Sequence, residues 1–151
     1  MEMHSSLQRL KKFREMEEVE KKKILKLLRE RFGIKKFDYL ILKSGKHILR
    51  ICSKEMKDFD FSNLKVVALG LEFATLKKFF RIKFDVAPLL KSRKNVVELN
   101  EDEFLKWMKG EIFEKNLEDG IYLLKFKQKT VGCTLIQNKK VLNFVPKYRR
   151  L

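Results

Sequence analysis

From residue 120 to the end the chain holds no acidic residue, yet it is dense in strand-forming hydrophobics. Ile121, Tyr122, Leu123, Leu124 and Phe126 make one run, Val131, Leu135 and Ile136 a second, and Val141, Leu142, Phe144 and Val145 a third. Lys125, Lys127 and Lys129 alternate with Leu124, Phe126 and Gln128, the period of a strand with one buried face. Gln137-Asn138-Lys139-Lys140 reads as a polar turn between two of the runs. The stretch predicts three short strands with a row of cations on an open face. Lys125, Lys127, Lys129, Lys139, Lys140, Lys147, Arg149 and Arg150 supply the charge. Unopposed cations favour a polyanion, because phosphates release their counterions on binding. A solvated lysine-rich face, common in heat-adapted proteins, has the same composition, and on charge alone both readings stand.

A net charge of +16 over 151 residues, with a pI near 9.9, points toward nucleic acid or an anionic surface. Hydrophobic residues make up 44%, enough for one domain or two small ones. No apolar run reaches the roughly 20 residues of a membrane span, and no partner membrane is expected. The N-terminus lacks an apolar signal core, so secretion is not expected. Cys52 and Cys133 stand alone, which fits a reduced cytoplasmic setting with both as core thiols. Past residue 94, every acid lies between Glu98 and Asp119, so the basic C-terminal strands are set apart from an acidic helix.

Residues 5–31 are helical in pattern, with Leu7, Leu10 and Phe13 on one apolar face and Ile24, Leu27, Leu28 and Phe32 on another. The charged middle either continues that helix or breaks it in two, and Gly33 is placed to stop it. Residues 37–42 and 47–52 predict a hairpin across Lys43-Ser44-Gly45-Lys46. A brief helix or loop follows, with Ser53 as N-cap. Residues 65–71 read as a strand ending near Gly70, 71–78 stay ambiguous, and 79–84 read as a strand. Residues 85–90 form a short helix-like connector. Ser92-Arg93-Lys94 is the expected junction between a domain of residues 1–94 and one of residues 95–151. Residues 95–99 predict a buried strand. Asn100 and Glu103 then form a capping box, with Phe104, Leu105, Trp107 and Met108 as the apolar face and Gly110 as the stop.

Strand, capped helix, Gly110, loop and three strands would close into a small β-barrel with one helix. The residues NVVELNEDEFLKWMKGE, EDGIYLLKFKQKTVGCTLI and VLNFVPKYRR in this order resemble the PUA domain, an RNA-binding pseudo-barrel. The ending is most similar to the C-terminal region of Nop/Sun-family RNA cytosine-5 methyltransferases. ERFGIKKFDYLILKSGKHILRICSKE and VVALGLEFATLKKFFRIKFDVAPLL resemble the domain that precedes PUA in Nip-type ribosome-biogenesis proteins and in those methyltransferases. One departure is Thr134, where many PUA sequences have a second glycine. The resemblance implies an α+β protein, with an α/β pre-PUA domain followed by a PUA-like β pseudo-barrel. It implies a non-catalytic RNA-binding protein without cofactor, acting in ribosome biogenesis or in rRNA or tRNA modification. Structured RNA is the implied partner, with a methyltransferase or ribosome-assembly protein beside it. The PUA grip on RNA, carried onto this chain, implicates Lys147, Tyr148, Arg149 and Arg150 first, then Lys106, Lys109, Lys139 and Lys140. Tyr148 reads equally as a base-stacking residue or as strand-end packing, whereas Trp107 reads as core. Lys77, Lys78, Arg81 and Lys83 form a second basic set in the first half.

No catalytic motif accompanies these features. The methyltransferases attack their base with a cysteine directly after proline, but Cys52 follows Ile51 and Cys133 follows Gly132. The glycines never form Gly-x-Gly, and His4, His47 and the cysteines lack metal-ligand spacing. A protein-interaction subunit that docks a separate methyltransferase or ribosomal protein is the alternative reading, and a residual RNA-modifying enzyme the third.

Overall fold

Ile24, Leu28 and Phe32 recur every fourth residue, which puts them on one helical stripe. In the computed structural model, which describes residues 14–59 and 70–151, that stripe is buried, with Leu28 and Phe32 fully enclosed. The helix, α1, spans Glu18–Phe32 and ends at Gly33 in the left-handed region. Of the two expectations for the segment before it, the break is the one that holds, since residues 14–17 are not helical. Arg14–Glu15 (β1) pairs with Lys43 and Leu42, so those residues take their hydrogen bonds from a sheet. The expected apolar face of Leu7, Leu10 and Phe13 lies outside the described residues.

The first sheet is an antiparallel meander in the order β1-β2-β3-β4-β5. Its hairpin joins β2 (Leu40–Ser44) to β3 (Ile48–Cys52), starting three residues after the expected position. Exposed His47 sits in the turn, not on a strand. A 3-10 turn over Lys54–Asp58 follows, with the Ser53 hydroxyl accepting from the Glu55 amide. The strand expected over residues 65–71 falls mostly outside the described residues. The ambiguous segment resolves into β4 (Leu71–Leu76), because its register with Ile48–Ile51 buries Phe73 and Ala74. β5 (Phe80–Ile82) and a 3-10 turn at Ala87–Leu89 complete the first half.

The second sheet runs β6-β8-β9-β10-β7 and curls as a half-barrel, with β6 and β7 as its edges. β6 (Val96–Glu98) lies parallel to β8 (Gly120–Phe126), and α2 (Glu101–Met108) forms the crossover between them. β9 (Lys129–Gln137) pairs antiparallel with β8. Two short strands, β7 (Phe113–Glu114) and β10 (Lys140–Val141), close the other edge. The lysine alternation does not lie on one strand. Lys127 and Gln128 form the β8–β9 turn, both at positive φ, and Lys129 opens the next strand.

The two sheets share buried residues. Leu123 and Cys133 belong to the same apolar cluster as Leu28, Phe32, Phe73 and Ile82. Arg31, near the end of α1, donates from Nε to the Ile121 carbonyl at 2.7 Å and lies 4.7 Å from the Tyr122 ring centre. Asn95 Nδ2 bonds the Arg31 carbonyl. Trp107, Leu124, Ile136, Val141 and Val145 fill a second cluster under α2. Both cysteines are buried, and burial pushes the Cys133 thiol up to about 12.

The α2 capping box forms as its residues predict. Asn100 Oδ1 accepts from the Glu103 amide at 2.8 Å, and Glu103 Oε1 accepts from the Asn100 amide at 3.0 Å. Lys115 adds an ion pair to the Glu103 carboxylate at 2.9 Å. Burial alone pushes that carboxyl up, but the Asn100 amide and the Lys115 ammonium outweigh it and leave the pKa below its ordinary value. A carboxyl depressed by folding stabilises above its unfolded pKa and loses that effect as pH falls through the folded one. Replacing Glu103 with Gln should therefore cost about 1 kcal/mol at pH 7. The gap to wild type should begin to shrink near pH 4, as the unfolded carboxyl takes up its proton, and vanish once pH has fallen through the lower folded pKa. Urea unfolding across this range measures it, and a gap that does not shrink would contradict the assignment.

Candidate nucleic-acid interface

An α-helix leaves its last carbonyls without partners, and the C-terminal segment supplies them to α2. Asn143 Nδ2 donates to the Trp107 carbonyl at 2.8 Å and to that of Glu111 at 3.0 Å. The Leu151 amide donates to the Met108 carbonyl at 2.9 Å. The Arg150 guanidinium lies over Gly110, so close that a Cβ there would stand 2.4 Å from its Nε. That Nε donates to the Val145 carbonyl at 3.1 Å. A cation at a helix C-terminus also opposes the negative end of the helix dipole. Arg150 is thus part of the fold that holds the tail.

Between these tethers, Pro146 leads into a 3-10 turn at Lys147–Arg149. Lys147 and Tyr148 are exposed, Tyr148 by 76%, which removes the packing reading for this ring. Arg149 is half-committed. Its Nη2 pairs with Asp85 at 2.9 Å, and its guanidinium lies 5.6 Å from the Tyr148 ring centre. Lys109 caps α2 on the exposed side, next to Gly110. Lys106 is exposed one turn earlier and pairs with Asp102 at 3.4 Å.

Lys139 and Lys140 sit elsewhere. Asn138 and Lys139 take positive φ in the β9–β10 turn, and the Lys139 carbonyl accepts from the Lys115 amide at 2.8 Å. Since Lys115 reaches Glu103 in the first turn of α2, this pair lies toward the helix start while the tail docks at its end. The expected residues therefore split into Lys109, Lys147, Tyr148 and Arg149 at one end, Lys106 on the helix flank and Lys139 with Lys140 at the other end.

Asp85 was missed in the sequence as the partner of Arg149, since nothing local links residues so far apart. It lines a cleft of about 500 Å³ with Arg81, Lys83, Phe144 and Tyr148. Arg81 lies 4.5 Å from the Phe144 ring centre, so part of the second basic set reaches the tail. Trp107 is fully buried, as its helix face predicted, and donates from Nε1 to the Val131 carbonyl at 3.0 Å. Leu105 leaves that face and is exposed. The close backbone approach occurs at Gly132, whose Cα side faces Trp107. Thr134 is enclosed instead, its hydroxyl donating to the Leu142 carbonyl at 2.7 Å.

Among the described residues no group of three or more His, Cys, Asp or Glu is placed to hold a metal ion. No described helix is long and apolar enough to cross a membrane. Residues 94–151 match the family described as the methyltransferase RsmF PUA domain. No curated protein matches the chain. The chain thus carries a PUA domain related to those of RNA methyltransferases, a domain type that points to RNA binding.

Proposed function

We propose, from a C-terminal unit of RNA-methyltransferase PUA type, that this protein binds structured rRNA or tRNA without catalysis and acts in RNA modification or ribosome assembly. On this reading residues 1–94 are the pre-PUA module that accompanies PUA in Nip-type proteins and Nop/Sun methyltransferases. The match of residues 94–151 carries the reading. The acid-free stretch of residues 120–151 supports it, because Lys127, Lys129, Lys139, Lys140 and Lys147 are exposed while Leu123, Leu124, Ile136, Val141 and Val145 are buried. The exposed ring of Tyr148 beside Arg149 supplies a stacking platform for an unpaired base. Both thiols are buried and shifted toward the protonated form, which supports a non-catalytic role, since the thiolate is the nucleophile.

Titration of a fluorescent tRNA tests the proposal. The double variant Lys109→Glu with Lys147→Glu should weaken binding at least tenfold, with an unchanged far-UV spectrum. Both side chains are exposed and bear no load in the core. Arg150 is left alone because its loss would disturb the tail itself. Equal affinity in the double variant would refute the assigned surface.

Exposed Leu105 and Ile112, on and just after α2, favour a second reading as a protein-docking subunit. A salt-insensitive complex with a methyltransferase, and no RNA retained from lysate, would support that alternative.

A further inference from the structure

A second pocket, of about 820 Å³, opens between the connector after β5 and the C-terminal sheet. Its walls include the apolar side chains Phe84, Leu90, Phe104, Met108 and Val131. Phe104 is held rigidly, stacked on Phe126 with ring centres 4.1 Å apart and planes 5° from parallel. Lys91, Arg93, Lys125 and Lys129 also line it. None of these four side chains has an ion pair or hydrogen bond among the described residues. The carboxylate in the lining, Asp85, is already paired with Arg149.

Four unopposed cations around an apolar floor call for a ligand that is flat, apolar and anionic at once. A nucleotide has that combination. A base in a duplex cannot enter such a pocket, whereas an unpaired one can be splayed out of its strand. The volume is that of an ordinary ligand pocket, so one nucleotide fits without rearrangement. Asp85 joins this pocket to the tail through Arg149, which makes the two surfaces continuous.

We infer that this pocket takes an unpaired nucleotide of a bound RNA. The base lies against Phe104, Met108 and Val131, and the flanking phosphates meet Lys91, Arg93, Lys125 and Lys129. This deepens the RNA-binding reading and rests on it. The strand enters from the tail side, past Tyr148 and Arg149.

The test uses the full chain and one RNA hairpin, with and without a single-stranded 3′ extension carrying 4-thiouridine. The extension should tighten binding about tenfold, the scale of one stacked base. Lys91→Ala with Lys129→Ala should remove most of that gain, and ultraviolet crosslinks in wild type should map to residues 101–109 and 129–131. Uridine monophosphate alone should bind far more weakly than the extended hairpin. If the extension adds no affinity, or the crosslinks fall solely within residues 139–151, the pocket assignment is wrong while RNA binding stands. Tighter binding of the free mononucleotide would replace the RNA nucleotide with a small-molecule ligand. If neither hairpin binds, the pocket assignment and the RNA-binding reading fail together.

Discussion

Gly132→Ala should destabilise the protein by about 3 kcal/mol, combining overpacking with backbone strain. The glycine takes a φ of 154°, which side-chain-bearing residues rarely adopt, and a Cβ there would stand 2.5 Å from Trp107 Cζ2. Trp107 cannot yield easily, being fully buried and held by the Val131 carbonyl. For a chain of this size the melting temperature should fall by about 6–12 °C. Trp107→Ala should cost about 3–5 kcal/mol for the lost ring and its cavity. The double variant should cost less than the two added together, because the new methyl then faces the space the ring left. Thermal and urea unfolding of all three variants would give the coupling. Strict additivity would mean that Gly132 is needed for its backbone alone.

Raising salt from 50 to 200 mM should weaken RNA binding about 50- to 150-fold, if some four phosphates are contacted at 0.7–0.9 counterions each. Arg149 is paired with Asp85 and Arg150 is folded against the end of α2, so neither is a fully free phosphate ligand. The exposed lysines of the acid-free stretch, with Lys109, remain to carry the contact. Lys109→Glu with Lys147→Glu should flatten the log–log slope by one to two. Lys139→Ala with Lys140→Ala tests the opposite end of α2, and a flattened slope there would mean the RNA spans the whole helix. Affinity that ignores salt would point to the protein-docking reading instead.

Where a feature depended on neighbours in the chain, the residues alone predicted it. The capping box needs only Asn100 and Glu103 three positions apart, and it forms at those positions. The burial of Trp107, the stop at Gly33 and the polar β9–β10 turn are of the same kind. The β8–β9 turn shows the limit. Tight hairpins favour Asn-Gly or Asp-Gly, but here Lys127 and Gln128 take the positive φ values, so nothing in their identity announces a turn. Whether the charged segment before α1 continues or breaks the helix was open for a related reason, because the break comes from pairing of Arg14 and Glu15 with residues some 28 positions away.

Composition and local order determined that this chain has a basic C-terminal strand region beside a capped acidic helix, and that its last residues carry cations without acids. Tertiary structure alone decided which cations are available. It spends Arg150 on a helix end, ties Arg149 to Asp85, and gathers Lys91 and Arg93 from the connector with Lys125 and Lys129 from the hairpin around one apolar hollow. The physical reason is that charge is a property of each residue, whereas pairing and exposure depend on which distant segments the buried hydrophobics bring together.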